Sequence, residues 1–194
     1  MKLRLLIVYT STGGNTRETA ELAAAGAEAA GADVDLYNAY SLDASILLEA
    51  DAILLGEPTW GDGEHHADWL PFDRGMASQL APGRKLEAIP AAAFVGCDRA
   101  YRNFGRAIEL VEDRLIECGA IVVQQGLKIE LQHNDHSRAF TRQWAGDFVK
   151  RAAGASPHQP YRPAMTREQA DAVMGISEDD RDDKNRRGLS GGKG

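Results

Sequence analysis

The sequence predicts a doubly wound α/β fold: a five-stranded parallel sheet in the order 2-1-3-4-5, with helices on both faces. Three observations carry this expectation. Short apolar runs of strand length alternate with longer alanine-rich or amphipathic stretches, the pattern of strand-helix-strand units with right-handed crossovers. The first apolar run is nearly continuous, as a strand buried on both faces must be. Three unusual polar loops follow the first, third and fourth strands, so all three face one edge of the sheet. Open α/β sheets bind ligands outside that edge, at the switch point, which lies here between the first and third strands.

Residues 3–9 read as a central strand. Residues 16–30 read as a helix with Ala20, Ala23, Ala24 and Ala27 on one face, small enough for close packing on the sheet, and with Gly31 just past its end. A second strand over 34–37, a short helix over 42–49 and a third strand over 52–55, ending at Gly56, complete the first half. After the loop GEPTWGDGEHH comes a helical pattern over 68–80, then a fourth strand over 91–96 and the loop CDRAYRN. Residues 104–118 are amphipathic, with Ala107, Ile108, Val111 and Leu115 inward, Glu109, Glu112, Asp113 and Glu117 outward, and Gly119 as the stop. The fifth strand, 120–123, breaks at Gln124, Gln125 and Gly126 before 127–129. The last helix, 137–153, carries Phe140, Trp144 and Phe148 on one stripe and ends at Gly154.

The fold is complete by then, so residues 1–154 are expected to form one domain and to bind ligand without the polar extension 155–194. In that extension Pro157, Pro160 and Pro163 suggest a linker, and Thr166 with Gln169 makes a capping box for a short helix to about Met174. The stretch SEDDRDDKNRRGLSGGKG is too polar to build a core, and the extension is expected to be largely disordered.

The 194 residues are 43% apolar and 26% charged, an ordinary globular composition. Residues 155–194 hold seven basic and seven acidic side chains, so the net charge of minus 7 falls on the first 154 residues. An acidic domain argues against nucleic acid and anionic membranes, and is compatible with a basic partner protein. Cys97 and Cys118 make no metal-ligand spacing and read as reduced thiols. The opening MKLRLLIVY is too short for a signal peptide, and no apolar run approaches the roughly 20 residues that span a bilayer, so a soluble, cytoplasmic protein is expected; separately, a monomer is expected.

The first loop, YTSTGGNT over residues 9–16, has the chemistry of an anion cradle. It leads into a helix N-terminus, whose first N–H groups lack intrahelical partners and carry partial positive charge. Gly13 and Gly14 let the backbone curl, while Ser11, Thr12, Asn15 and Thr16 supply neutral donors. The loop contains no Lys or Arg, and it matches neither GxxxxGK[ST] nor GxGxxG, so a single terminal phosphomonoester suits it better than a chain of phosphates. An ordinary strand-to-helix turn is the plain alternative. The other two loops each place one aromatic among polar residues, Trp60 and Tyr101, and such rings stack on planar ligands. A phosphomonoester beside a clamped flat ring describes flavin mononucleotide (FMN). His65 and His66 lack a third ligand for a metal and read as solvent-exposed loop residues, and Cys97 as a small buried residue at a strand end.

Over residues 1 to about 153 the sequence resembles a short-chain flavodoxin. IVYTSTGGNT matches the family's phosphate loop, PTWGDGE and GCDRAYRNF its two ring-stacking loops, and GRAIELVEDRLIECGAIVVQQGLKI the helix and split fifth strand that follow. Three motifs in the right order and spacing make the match specific. Thr10 stands where glycine is common, Gly13 where a hydroxyl residue is, and Arg99 and Arg102 occupy a loop that is generally acidic or neutral.

The resemblance implies a flavodoxin-like fold with FMN as cofactor. It assigns Ser11, Thr12, Asn15 and Thr16, with the backbone of Gly13 and Gly14, to the phosphate. Trp60 and Tyr101 are assigned to the two ring faces, Thr59, Gly61 and Asp62 to the N5 edge, and Cys97, Asp98 and Phe104 to the pyrimidine edge. It assigns to the Gly61 carbonyl a swing towards N5 on one-electron reduction. The implied function is low-potential one-electron transfer between a reductase and an acceptor protein. An FMN-dependent NAD(P)H quinone or azo reductase on the same fold, or a flavin-free binding module, are the alternatives.

Overall fold

The computed structural model describes residues 2–155 and 165–177. The strands are β1 (Arg4–Tyr9), β2 (Asp33–Asn38), β3 (Ala52–Pro58), β4 (Pro90–Cys97), β5 (Ile121–Val122) and β6 (Leu127–Glu130). The helices are α1 (Asn15–Ala29), α2 (Leu70–Gly75), α3 (Ala107–Glu117), α4 (Asp135–Ala153) and α5 (Arg167–Met174), with a 3-10 helix at Ala44–Glu49. The sheet runs β2-β1-β3-β4-β5, and β6 also pairs with β4. The expected order is therefore present, with the fifth position split. β5 pairs with Pro90 and Ala91, while β6 pairs with Phe94 to Cys97. Every one of these pairings is parallel.

β1, β3 and β4 are buried along nearly their whole length, because both faces of the sheet are covered. Successive side chains alternate between two cores. Leu5, Ile7, Leu54 and Phe94 face α1, α4 and α5, whereas Leu6, Val8, Ile53, Leu55 and Val95 face the 3-10 helix, α2 and α3. The helical stretch expected over 68–80 begins at Leu70 and finishes as a π turn, Met76–Leu80, which turns Met76 and Leu80 inward. α3 starts later than expected, because Gly105 takes φ 63 and the chain crosses over the Lys128 side chain there. Glu112, expected outward, is buried. Its Cα lies one turn beyond Ile108, on the flank that faces the loop at Gly126, so the inward stripe of α3 is wider than its apolar residues alone indicate. α4 starts two residues early because Asn134 and Ser137 form a capping box.

Thr166 and Gln169 cap α5 as expected, and Gly175 closes it in the left-handed region. The helix is not peripheral: Met165, Ala170, Val173 and Met174 are buried in the same core as Phe104 and Ile129. Pro157, Pro160, Pro163 and the stretch beyond Ser177 lie outside the described residues. Both cysteines are free and buried, and burial pushes the Cys118 thiol up to about 11. Among the described residues, no helix is long and apolar enough to cross a membrane.

α1 and α4 meet at backbone distance. A Cβ on Gly26 would lie 2.1 Å from the Arg142 carbonyl oxygen, and one on Gly146 would lie 3.4 Å from the Gly26 oxygen. Alanine is the better helix former by about 1 kcal/mol, so Gly26→Ala would stabilise an exposed site. Here the methyl group meets backbone, and the substitution is expected to lower the unfolding free energy by about 1–3 kcal/mol in urea denaturation. A variant as stable as the parent would show that the helices have room to part.

Candidate functional site

The parallel register brings the carboxyl ends of β1, β3 and β4 to one edge, with Tyr9 opposite Gly56 and Pro58 opposite Gly96. A cleft opens there. Ser11, Thr12, Gly13, Asn15 and Thr16 line it from the first loop, Pro58, Thr59 and Trp60 from the second, and Gly96, Cys97 and Asp98 from the third. Leu131 lines it as well. That residue was not read from the sequence; its signal is its position just past β6, which runs parallel beside β4 and delivers it to the same edge. Gly14, Gly61, Asp62, Tyr101 and Phe104 belong to the same loops but not to the cleft wall.

The N-terminus of α1 points into this cleft. Gly14, at φ 91, is its N-cap residue, and no side chain caps the helix. α4, α5 and the 3-10 helix have side-chain caps, whereas α2 and α3, like α1, have none. The first-turn N–H groups of α1 thus remain for a ligand. Gly14 N–H donates to Ser11 Oγ over 3.1 Å, which leaves the Ser11 hydroxyl hydrogen to point elsewhere. No lysine or arginine lines the cleft among the described residues.

The second loop is a tight turn in which Trp60 and Glu64 pair through both backbone hydrogen bonds, with Gly61 at φ 52. Contrary to expectation, neither histidine that follows is a solvent-exposed loop residue. His66 is buried and stands edge-on to Trp60, ring centroids 5.0 Å apart at 88°. Its Nδ1 accepts from the Asp68 N–H (3.2 Å), so its proton sits on Nε2 and is donated to Thr12 Oγ1 (2.8 Å). The Thr12 hydroxyl is then free to donate into the cleft. One imidazole therefore ties the first loop to the aromatic of the second.

His65 faces the other way. Its Nδ1 lies 2.5 Å from Oε1 of Glu57, a fully buried carboxylate whose other oxygen accepts from the His66 N–H (2.9 Å). Behind it, Asp73 Oδ1 stands 3.9 Å from His65 Nε2 and is bound by Arg114 (2.8 Å). Burial alone would push the His65 pKa down, but the hydrogen bond and charge of Glu57 outweigh it and leave the pKa above its ordinary 6.5. Burial pushes the Glu57 carboxyl up, against the pull of His65. The sequence does hold a signal for this pair: Glu57 interrupts the buried run AILLGEP, and an interior carboxylate requires a partner.

In the third loop Asn103 Nδ2 donates to the Asp62 carbonyl (2.7 Å), lacing it to the second. Trp60 and Tyr101 are both half exposed. Phe104 is turned inward with its carbonyl accepting from Lys128 Nζ (3.2 Å), so it anchors the loop from below. Arg99 is held by both oxygens of Glu130 (2.5 and 2.6 Å) and by Asp171, so its charge is compensated rather than presented to the cleft. Cys97 Sγ faces the Ile129 carbonyl (3.4 Å), and burial pushes its thiol pKa up, so it is no reactive thiolate. Neutral donors around an uncapped helix end, beside an aromatic on a wall without cations, can hold an anionic group next to a planar ring.

The sequence pattern of the flavodoxin family matches residues 7–144. A probable flavodoxin 1 of Bacillus subtilis is 33% identical over 144 residues, 72% of this chain and 88% of the relative. A flavodoxin of Nitratidesulfovibrio vulgaris is 36% identical over 150 residues, 75% of this chain and 96% of that one. The crystal structure of oxidised Flavodoxin 1 from Bacillus cereus superposes with a TM-score of 0.69 at 35% identity, covering 76% of this chain and 97% of the other.

The His65 pKa sets a pH dependence. The folded state binds this proton more tightly than the unfolded chain does, so the stabilisation is complete below about pH 6.5 and is lost as pH rises through the raised folded value. Urea denaturation of the parent and His65→Gln is therefore expected to show the largest stability difference near about pH 6, and a smaller one by about pH 9. A difference that stays constant with pH would mean that folding leaves the His65 pKa unchanged.

Proposed function

This chain belongs to the flavodoxin family of FMN-binding electron carriers, and from that premise we propose that it shuttles single electrons at low potential between a reductase and an acceptor protein. The observation that carries the reading is the meeting of an uncapped helix N-terminus, a set of neutral hydroxyl donors and Trp60 in one cleft. The residues present fit FMN. Thr59 Oγ1 is buried at the cleft wall with no hydrogen-bond partner among the described residues, an unmet polar group of the kind that a ligand satisfies.

Ser11, Thr12, Asn15 and Thr16, with the first-turn N–H groups of α1, would hold the phosphate. His66 keeps Thr12 a donor by occupying its acceptor side. Trp60 and Tyr101 would cover the ring faces, Thr59, Gly61 and Asp62 its N5 edge, and the backbone at Cys97 and Asp98 its pyrimidine edge. Gly61 already has positive φ, so its peptide can turn at little cost, where another residue would bear about 1 kcal/mol or more. Bound FMN supplies the one-electron chemistry, and the chain tunes it by stacking, hydrogen bonding and charge. A wall without cations, with Arg99 compensated, disfavours added negative charge in the cleft and supports a low potential. The acidic character of residues 1–154 suits partners with basic surfaces.

Titration of the flavin-free protein tests the phosphate assignment. Each hydrogen bond to a charged group contributes about 1.5–3 kcal/mol, so riboflavin is expected to bind at least about a hundredfold more weakly than FMN. His66→Ala is expected to narrow that ratio by weakening FMN more than riboflavin, since His66 touches both Thr12 and Trp60. Equal affinity for the two flavins would remove the first loop from phosphate binding, and a protein that ignores both would end the electron-carrier reading.

A further inference from the structure

α5 lies beyond the residues that match the family, 7–144, yet it grips the loop that carries Tyr101. Arg167 Nη2 donates to two successive carbonyls, of Tyr101 (3.1 Å) and Arg102 (3.2 Å). The same guanidinium stands 5.3 Å over the Phe104 ring. One turn further along the helix, Asp171 pairs with Arg99, which also holds Glu130. α5 thus takes hold of the loop on both sides of Tyr101, through the Arg99 side chain before it and the peptide oxygens at and after it. The helix is itself fixed: its apolar residues are in the core, and Asn134 Nδ2 at the cap of α4 donates to the Met174 carbonyl (2.7 Å).

Within the loop, the bonds near Tyr101 are short-range turns, Ala100 N–H to Asp98 Oδ1 (2.8 Å) and Tyr101 N–H to Asp98 O (3.2 Å). Such turns set local curvature but do not fix where the ring stands relative to the sheet. Two neighbouring carbonyls bound to one guanidinium do fix their peptide planes, and with them the direction in which Tyr101 leaves the backbone. We propose that α5 is a positioning element for flavin binding, in which Arg167, and Asp171 acting through Arg99, hold the 98–106 loop so that Tyr101 is pre-set to cover the ring. The inference rests on the FMN reading above. It assigns to the extension a part in the site that the five strand-and-helix units alone do not supply.

The full-length protein with Arg167→Ala, Arg167→Lys and Asp171→Asn provides the test, through flavin titration and amide hydrogen exchange of the flavin-free form. Loss of charge-assisted bonds that pre-order a binding loop is expected to weaken FMN by about tenfold in Arg167→Ala, with part of the loss restored by lysine. Because the loop serves the ring and not the phosphate, riboflavin must weaken by the same factor as FMN. Exchange in 98–106 must quicken while β1, β3 and β4 keep the parent's protection. Unchanged affinity, a loss confined to FMN, or faster exchange throughout the sheet would each overturn the proposal, the last by making α5 a general support. If the parent itself ignores flavin, the FMN reading fails, and the positioning role falls with it.

Discussion

The cleft is arranged around a helix end whose first-turn N–H groups no side chain caps among the described residues. α1 begins at a glycine in the left-handed region, with no side-chain cap, directly after the central strand β1. An exposed helix end can turn those groups to water, but here they open into a cleft walled by two further loops, and an anion is the partner that satisfies them with least rearrangement. The parallel pairing of β1 with β3, and of β3 with β4, brings the other two loops there. The buried pair Glu57 and His65 fixes the turn from behind, and His66 spans from Trp60 to Thr12.

Strands buried on both faces leave an apolar run that a reader can find, and β1, β3 and β4 were legible for that reason. The three loops were legible because each follows a strand of a parallel sheet, so all three fall at the edge where such sheets bind ligands. Contacts between residues far apart in the chain were not. The partner of Glu57 is eight residues away, and that of Thr12 is 54 away, and nothing in local composition links them. Two adjacent histidines in a polar loop carry the signature of exposure, yet one faces a buried carboxylate and the other a hydroxyl. Glu112 was misplaced because its burial depends on the loop at Gly126 that closes over α3.

α5 was hidden in a different way. Its capping box was readable, but its buried face consists of Ala170, Val173 and Met174 with Met165 before it, too few to stand out in a charged extension. Its hold on the 98–106 loop comes from an arginine and an aspartate, residues that composition assigns to solvent. The two arginines of that loop, which stand where the resemblance has acidic or neutral residues, have different surroundings. Arg99 is enclosed by Glu130 and Asp171, and Arg102 contributes its carbonyl to Arg167.

In the proposed binding mode a phosphomonoester is held by neutral donors and a helix end, with no lysine or arginine lining the cleft among the described residues, inside a domain of net negative charge. Ionic strength separates this from every cation-based alternative. Salt screens charge-charge attraction over about 10 Å at 0.1 M and over shorter distances above that. FMN affinity measured between about 0.05 and 0.5 M salt is predicted to hold constant or to rise, because screening weakens the longer-range repulsion between an acidic domain and an anionic ligand more than it weakens short hydrogen bonds inside the cleft. A fall of about tenfold over that range would contradict this binding mode, since it would point to a lysine or arginine carrying the phosphate.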